Sequence, residues 1–323
     1  MRTHRSVFFS APFGPMAAAL GMALLLAAGT AAGQGSWERA PNMPTCRSEL
    51  AAASLDGWIY VAGGLALRGT LAAFEAFHPE TGSWKKLPPL PTALHHPAMA
   101  AAAGRVVLTG GYASLTFGTP EQSTWAFDVA RGAWERKSDM PGPRAAHAMV
   151  NLGGTFYVVG GVGSEGVWAY HPARDLWSQN LPALPTPREH LAAVALAGRL
   201  YVVAGRWRSQ GNLTALEAFD PEAKAWRALP SLPTARGGLT AAAVAGRIHV
   251  TGGEAFSPRR TFAEHEVYDP ASQAWSMAPP MPTARHGLAS TEMGGRWYVI
   301  GGGTKAGMKT LFTTSCTVEV YTP

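Results

Sequence analysis

The sequence predicts an all-β protein, a toroid of six four-stranded sheets whose last sheet borrows a strand from the other end of the chain. Three observations carry that expectation. Tryptophan recurs at Trp37, Trp84, Trp134, Trp177, Trp226 and Trp275, at intervals of 43 to 50 residues. Each interval contains a hydrophobic strand that closes on small residues, and fixed-period repetition of this kind marks a repeat architecture. The chain ends on a strand with no partner after it and begins, past residue 34, on a strand with none before it.

Composition narrows the class. The 323 residues are 47% hydrophobic and only 15% charged, with 11 Trp, 37 Gly and 25 Pro. Few charges with many aromatics exclude a disordered chain, and the charged helical periodicity of a coiled coil is missing. The net charge of +6 is spread thinly, with Lys85-Lys86, Arg136-Lys137 and Arg259-Arg260 the only basic doublets. Nucleic acid needs a concentrated basic stripe, so it is not an expected partner.

Each repeat holds four strand-length runs bounded by turn residues. The first is Ala-rich, as in Leu239-Thr240-Ala241-Ala242-Ala243-Val244, which suits an innermost strand crowded around an axis. A glycine turn, Asp56-Gly57 or Ala245-Gly246, leads into the second strand, because tight hairpins need positive φ. That second strand closes as Tyr60-Val61-Ala62-Gly63-Gly64, Val107-Leu108-Thr109-Gly110-Gly111 or Tyr157-Val158-Val159-Gly160-Gly161. Blade four departs with Tyr201-Val202-Val203-Ala204-Gly205. The third strand carries an aromatic before a turn, as in Phe77-His78-Pro79 and Tyr268-Asp269-Pro270, and the fourth begins with the periodic Trp. Large aromatics on the outer strands fill the widening gap between sheets. Stacked four-stranded units of this period form a propeller.

Closure follows from the ends. Joined, Tyr321-Thr322-Pro323 and Gln34-Gly35-Ser36-Trp37 read like the internal Phe77-His78-Pro79-Glu80-Thr81-Gly82-Ser83-Trp84. The closing blade is therefore expected to combine about residues 37–42 with about 286–323. Placing Tyr321 beside Trp37 sets Cys316 opposite roughly residue 42, so pairing with Cys46 requires the chain to bend; bridge and separate thiols both stay open at this point.

The N-terminus reads as a secretory signal peptide over 1–32. Arg2, His4 and Arg5 precede an apolar run from Met16 to Ala32 that ends in small residues. A secreted or periplasmic protein is expected, with no membrane span once the leader is removed, and an oxidising compartment permits a disulfide. Retention as an anchor is the alternative.

The double glycine after a hydrophobic strand, then Tyr or Phe, then Trp, then Pro and Arg, resembles the kelch repeat over Trp37–Pro323. Ala204 for the first glycine, Phe77, Phe127 and Phe219 for Tyr, and Leu94 for Arg are its departures. The resemblance implies a six-bladed kelch-type β-propeller. It also implies that ligands are held on one mouth, by residues just after the double glycine and just after the Arg of each repeat. The first set is Leu65, Tyr112, Val162, Arg206, Glu254 and Gly303, with Trp207, Arg208 and Lys305 nearby. The second follows Arg47, Leu94, Arg144, Arg188, Arg236 and Arg285, and reads Ser48-Glu49, His95-His96, Ala145-Ala146, Glu189-His190, Gly237-Gly238 and His286-Gly287. The arginines themselves read either as a positive ring near the channel or as structural ties. The loops between double glycine and aromatic run from 8 residues after Gly161 to 18 after Gly302, and loop diversity on a rigid scaffold is where binding residues gather.

Candidate ligand-binding residues are thus Glu49, His96, Tyr112, Glu189, His190, Arg206, Trp207, Glu254, His286 and Lys305. The expected function is an exported binding module presenting one face to a protein, peptide or carbohydrate, as a monomer without cofactor. A sialic-acid-mutarotase type of epimerase is the alternative, using Glu189 with His190, or Glu254 with Arg206, as acid–base and carboxylate-holding groups. The galactose-oxidase branch needs a Cys–Tyr crosslink, and neither cysteine has an evident Tyr partner. No metal site is expected, because His95, His96, His190 and His286 show no HxH or HxxxH spacing.

Overall fold

The computed structural model describes residues 35–163 and 166–323; the leader expected over 1–32 lies outside the described residues. Six antiparallel sheets follow one another along the described chain, five of four strands and the fifth blade carrying one extra short strand, Arg259–Thr261, on its second strand. Blade 1 runs Ala51–Leu55, Trp58–Ala62, Phe74–His78 and Ser83–Lys86 from the axis outward. Blades 2 to 5 repeat this order, starting at Ala98, Ala148, Ala192 and Gly237. Blade 6 takes Ala289–Met293, Arg296–Ile300 and Val318–Thr322 from the end of the chain and Ser36–Ala40 from its start. Each innermost strand packs between those of the preceding and following blades, and blade 6 packs on blade 1, so the ring closes. Among the described residues no helix is long and apolar enough to cross a membrane.

The seam has the anticipated register, Trp37 opposite Tyr321 and Ala40 opposite Val318. Beyond Ala40 the chain leaves the ladder and bends back, and Met43 N–H donates to Cys316 O at 2.8 Å. The bend brings Cys46 onto Cys316, and the two form a disulfide spanning 270 residues of sequence.

Each blade is tied to its predecessor at the rim. The indole N–H of Trp37 donates to Pro279 O at 2.8 Å, Trp84 to Pro41 O at 3.0 Å and Trp134 to Pro88 O at 3.1 Å. Trp177, Trp226 and Trp275 do the same to Ser138, Pro182 and Pro230. The period of tryptophans is therefore a period of blade-to-blade hydrogen bonds as well as of half-buried rings. Trp58, Trp125, Trp168 and Trp297 lie on strands.

The repeated arginines are structural. Arg47, Arg144, Arg188, Arg236 and Arg285 are 0% exposed, which removes the reading of a positive ring facing the channel. Arg47 meets Glu75 at 2.6 Å, Arg188 meets Glu217 at 2.5 Å, Arg285 meets Glu319 at 2.8 Å, and Arg236 pairs with Glu266. Every one of these glutamates sits one residue into the third strand of its blade. The second carboxylate oxygen accepts from a threonine two residues before the arginine, Thr45, Thr186, Thr234 or Thr283. Blades 2 and 3 carry Trp125 and Trp168 at the glutamate position. Blade 2 accordingly has Leu94, and in blade 3 the Arg144 guanidinium lies 3.9 Å over Trp168 while donating to Gly160 O and Gly166 O. A buried charge is tolerated only when its partners are supplied, so where the glutamate is missing blade 2 drops the arginine and blade 3 satisfies it with an aromatic face and two carbonyls.

Glu217→Ala strands the Arg188 guanidinium and is expected to cost about 3–5 kcal/mol. Urea unfolding measures this, and a loss below about 1 kcal/mol contradicts the pairing. Non-reducing mass spectrometry should show a two-hydrogen deficit at the Cys46–Cys316 peptide pair, and Cys46→Ser should lower stability by about 2–5 kcal/mol.

Candidate functional site

Six equivalent residues, one per blade, surround the axis at one mouth: Glu49, His96, Ala146, His190, Gly238 and Gly287. All have positive φ, between 50° and 67°. In this conformation each donates its N–H to the carbonyl of the previous blade's residue. His96 donates to Glu49, Ala146 to His96, His190 to Ala146, Gly238 to His190, Gly287 to Gly238, and Glu49 back to Gly287, at 2.6 to 3.0 Å. The result is a closed belt of backbone hydrogen bonds. Residues beside the belt pair with the residue after each double glycine, as in Ser48 with Leu65, His95 with Tyr112 and Glu189 with Arg206.

Glycine meets the belt's conformation without strain, whereas a residue with a Cβ bears roughly 1–2 kcal/mol. Blades 5 and 6 use glycine. Blades 1, 2 and 4 place Glu49, His96 and His190 there, so side chains with chemistry stand where backbone preference alone would put glycine. Such outliers cluster at functional sites. A Cβ on Gly287 would come within 2.2 Å of Glu49 Oε1, so that glycine makes room for the carboxylate.

A cavity of 290 Å³ opens above the belt, and Glu49, His96, His190, Arg206, Glu254 and His286 all face it. Arg206 bridges two carboxylates, Glu189 at 2.8 Å and Glu254 at 2.6 Å. Glu254 also accepts from Gly307 N–H at 2.6 Å, and His286 Nδ1 stands 3.3 Å from it. His96 Nε2 lies 3.1 Å from Glu49 Oε2 and 3.0 Å from His190 Nε2. Burial holds His96 neutral down to about 3 and His95 to about 4, and pulls His190 well below the usual imidazole range. Burial, reinforced by Glu254 and opposed by His286 and Arg206, raises the Glu49 carboxyl.

Of the remaining anticipated residues, Tyr112 and Trp207 line an adjoining cavity of 360 Å³ that shares Phe117, His190 and Arg206 with the first. Tyr112 is buried against His95, and Arg208 covers one face of Trp207 at 4.6 Å. Lys305 contributes its backbone carbonyl, which accepts from His286 Nε2 at 3.0 Å, and lines neither cavity. Phe117, Phe256, Met308 and Leu311 line the first cavity without having been singled out. They sit in the segments of unequal length that follow the double glycines, Phe256 at the end of a strand and Met308 and Leu311 in a short 3-10 helix, and only the unusual lengths pointed to them. Among the described residues, Glu49, His96 and His190 bring one potential ligand atom each within 4.8 Å of one another, a grouping the sequence reading did not single out. Local spacing could not show this, because the three come from three blades.

Unfolding exposes imidazoles whose ordinary value is 6.5 and whose folded values are depressed, so the unfolded chain binds more protons below that pH. His249, at about 4, and His265, at about 3, act in the same sense as His95 and His96, while the raised Glu49 acts in the opposite one. The melting temperature should therefore fall as pH drops from 6.5 towards 4. A flat or rising profile across that window contradicts buried neutral histidines.

Residues 147–317 match the family model described as the KLHDC2/KLHL20/DRC7 Kelch-repeats domain, and residues 46–91 match the Kelch motif. Beta-scruin of Limulus polyphemus is 32% identical over 114 residues, covering 32% of this chain and 12% of that protein. Kelch-like protein 36 of Mus musculus is 28% identical over 201 residues, 59% of this chain and 32% of that protein. The chain thus spans about a third or less of the length of these relatives. The solved structure of YjhT superposes with a TM-score of 0.75 at 14% identity, over 88% of this chain and 97% of that one, a likeness of fold alone.

Proposed function

The chain belongs to the kelch-repeat family, and from that premise we propose that its loop-lined mouth binds a protein or peptide segment. The observation that carries this reading is an apolar rim. Among the described residues, the large hydrophobic side chains left exposed are Leu67, Leu115, Phe117, Val162, Leu176, Phe256, Met277, Met308 and Phe312. All but Leu176 and Met277 lie in the loops that follow the double glycines. Exposed apolar surface gathered on one face, rimming a polar centre, is the anatomy of an interaction site. Aliphatic Leu67, Leu115, Val162 and Met308 suit apolar side chains of a polypeptide better than the flat faces of a sugar. The polar centre below them would hold one hydrogen-bonding group of the ligand. Arg206 is already neutralised by Glu189 and Glu254, so it has no free charge with which to capture a ligand carboxylate.

The secreted or periplasmic location belongs to the same proposal. It is supported by the order of basic, apolar and small residues at the N-terminus and by the Cys46–Cys316 disulfide, which suits an oxidising compartment.

The test is selection of a random peptide library on the folded protein, followed by calorimetry on the enriched peptides. Phe256→Asp and Met308→Asp should each weaken binding about tenfold or more while leaving the melting temperature unchanged. Neutral reducing sugars, followed by saturation-transfer NMR, should show no saturable contact and no faster anomer exchange. Failure to enrich any peptide, or saturable or catalysed behaviour with the sugars, replaces the peptide reading with a carbohydrate one.

A further inference from the structure

The hydrogen-bond partners around the belt determine which imidazole nitrogens carry protons. His95 Nε2 faces Ser114 O at 3.0 Å, and a carbonyl only accepts, so His95 donates there and its Nδ1 holds a lone pair. His96 Nδ1 stands 2.5 Å from that lone pair and must be the donor. The neutral His96 ring therefore bears its lone pair on Nε2. His190 Nδ1 lies against the Glu189 carboxylate, outside hydrogen-bond geometry, and the carboxylate's charge draws the imidazole proton to that side, which leaves the His190 lone pair on Nε2 as well. The two Nε2 atoms point at each other across 3.0 Å, with Glu49 Oε2 3.1 Å from the first. Three acceptors thus converge, and neither imidazole has a proton to share among them.

From this convergence we infer a divalent metal site of the zinc class, with His96 Nε2, His190 Nε2 and the Glu49 carboxylate as its ligands. Two of the three separations suit it directly: donor atoms about 2.0–2.2 Å from one ion, at angles of 90° to 110°, are about 2.8–3.6 Å apart, as His96 Nε2 is from His190 Nε2 and from Glu49 Oε2, and the third pair lies within 4.8 Å. The surroundings suit it too. A metal-bound imidazole normally turns its other N–H to a carboxylate or carbonyl; His190 has Glu189 against its Nδ1, and His96 reaches Ser114 O through His95. Glu189 and Glu254 share the Arg206 guanidinium, Glu49 adds a third carboxylate and Arg259 a second guanidinium on the cavity wall, a formal charge of −1 that attracts a dication. Two imidazoles with one carboxylate favour first-row transition ions over Ca²⁺ or Mg²⁺. The belt supplies rigidity, because each ligand hangs from a residue locked to both neighbouring blades. All three ligands line the 290 Å³ cavity, which gives an ion its access. The site stands independently of the peptide reading, since it requires no ligand on the rim.

The experiment uses the folded protein without a histidine tag, stripped with chelator and titrated with Zn²⁺ by calorimetry and with Co²⁺ by visible absorption. One ion per chain is expected, with a Co²⁺ spectrum of nitrogen and oxygen ligation. His96→Gln and His190→Gln should each weaken Zn²⁺ binding about 100-fold or more, and Glu189→Gln, which frees the His190 ring, about 10–100-fold. His171→Gln, on the outer part of blade 3, should leave binding unchanged. Cooperative thermal unfolding of each variant separates lost binding from lost fold, and a misfolded variant leaves the wild-type stoichiometry and spectrum to decide. Absence of stoichiometric Zn²⁺ and Co²⁺ binding overturns the site. So does binding that survives in both folded histidine variants, or uptake of Ca²⁺ or Mg²⁺ in preference to Zn²⁺. Loss of peptide binding with metal binding intact would sink only the reading of the rim.

Discussion

Everything at the functional mouth depends on the cyclic belt of backbone hydrogen bonds formed by Glu49, His96, Ala146, His190, Gly238 and Gly287. Each bond is worth only about 1 kcal/mol net, so the belt matters for geometry more than for energy. Most of the stabilisation comes from the apolar cores between blades, such as Tyr60, Phe74 and Leu108 at the interface of blades 1 and 2. What the belt imposes is mutual constraint. A residue can leave its left-handed conformation only by breaking bonds to two neighbours, and the positions of six side chains around the axis are set together. The rim tryptophans apply the same rule at the periphery, where every indole is held by the blade before it.

Arginine serves two roles in this chain, and the partner distinguishes them. Arg47, Arg188, Arg236 and Arg285 each meet a glutamate of their own blade and a threonine-bonded carboxylate, fully removed from water. Arg206 instead joins the carboxylates of two blades beside an open cavity, with part of its surface still exposed. Blade 2 shows the apolar solution to the first role, Leu94 with Trp125 in place of an ion pair, as expected where desolvation offsets much of a buried pair's attraction. No such substitute exists for the second, because the cavity needs polar groups at its floor.

The blades were readable because a repeat converts sequence position into radius. Ala-rich first strands fall at the axis, the strand ending in two glycines comes next, and the periodic Trp falls at the rim, whichever copy is read. The same equivalence aligned Glu49, His96, Glu189, His190, Arg206, Glu254 and His286 on matching repeat positions, and the kelch resemblance implied that those positions share one mouth. It was less informative where copies differ. Phe117, Phe256 and Met308 lie on loops of unequal length, and Lys305 sits in one such loop yet turns only its carbonyl to the site. The third-strand glutamates were in plain view, one residue into the strand in four copies, but their meaning emerges only when that strand is laid against the turn that carries the arginine.

The amino-acid order alone determined the number of sheets, their strand order, the borrowed strand at the seam and the ring position of the polar residues. These follow from periodicity and from the side-chain size each radius tolerates, which are properties of sequence. Whether Cys46 reached Cys316, which way each imidazole carries its proton, and that Glu49, His96 and His190 meet at one point were decided by the tertiary structure. Those facts rest on a bend after Ala40 and on contacts between blades far apart in the chain, where distance is set by ring closure and not by spacing along the backbone.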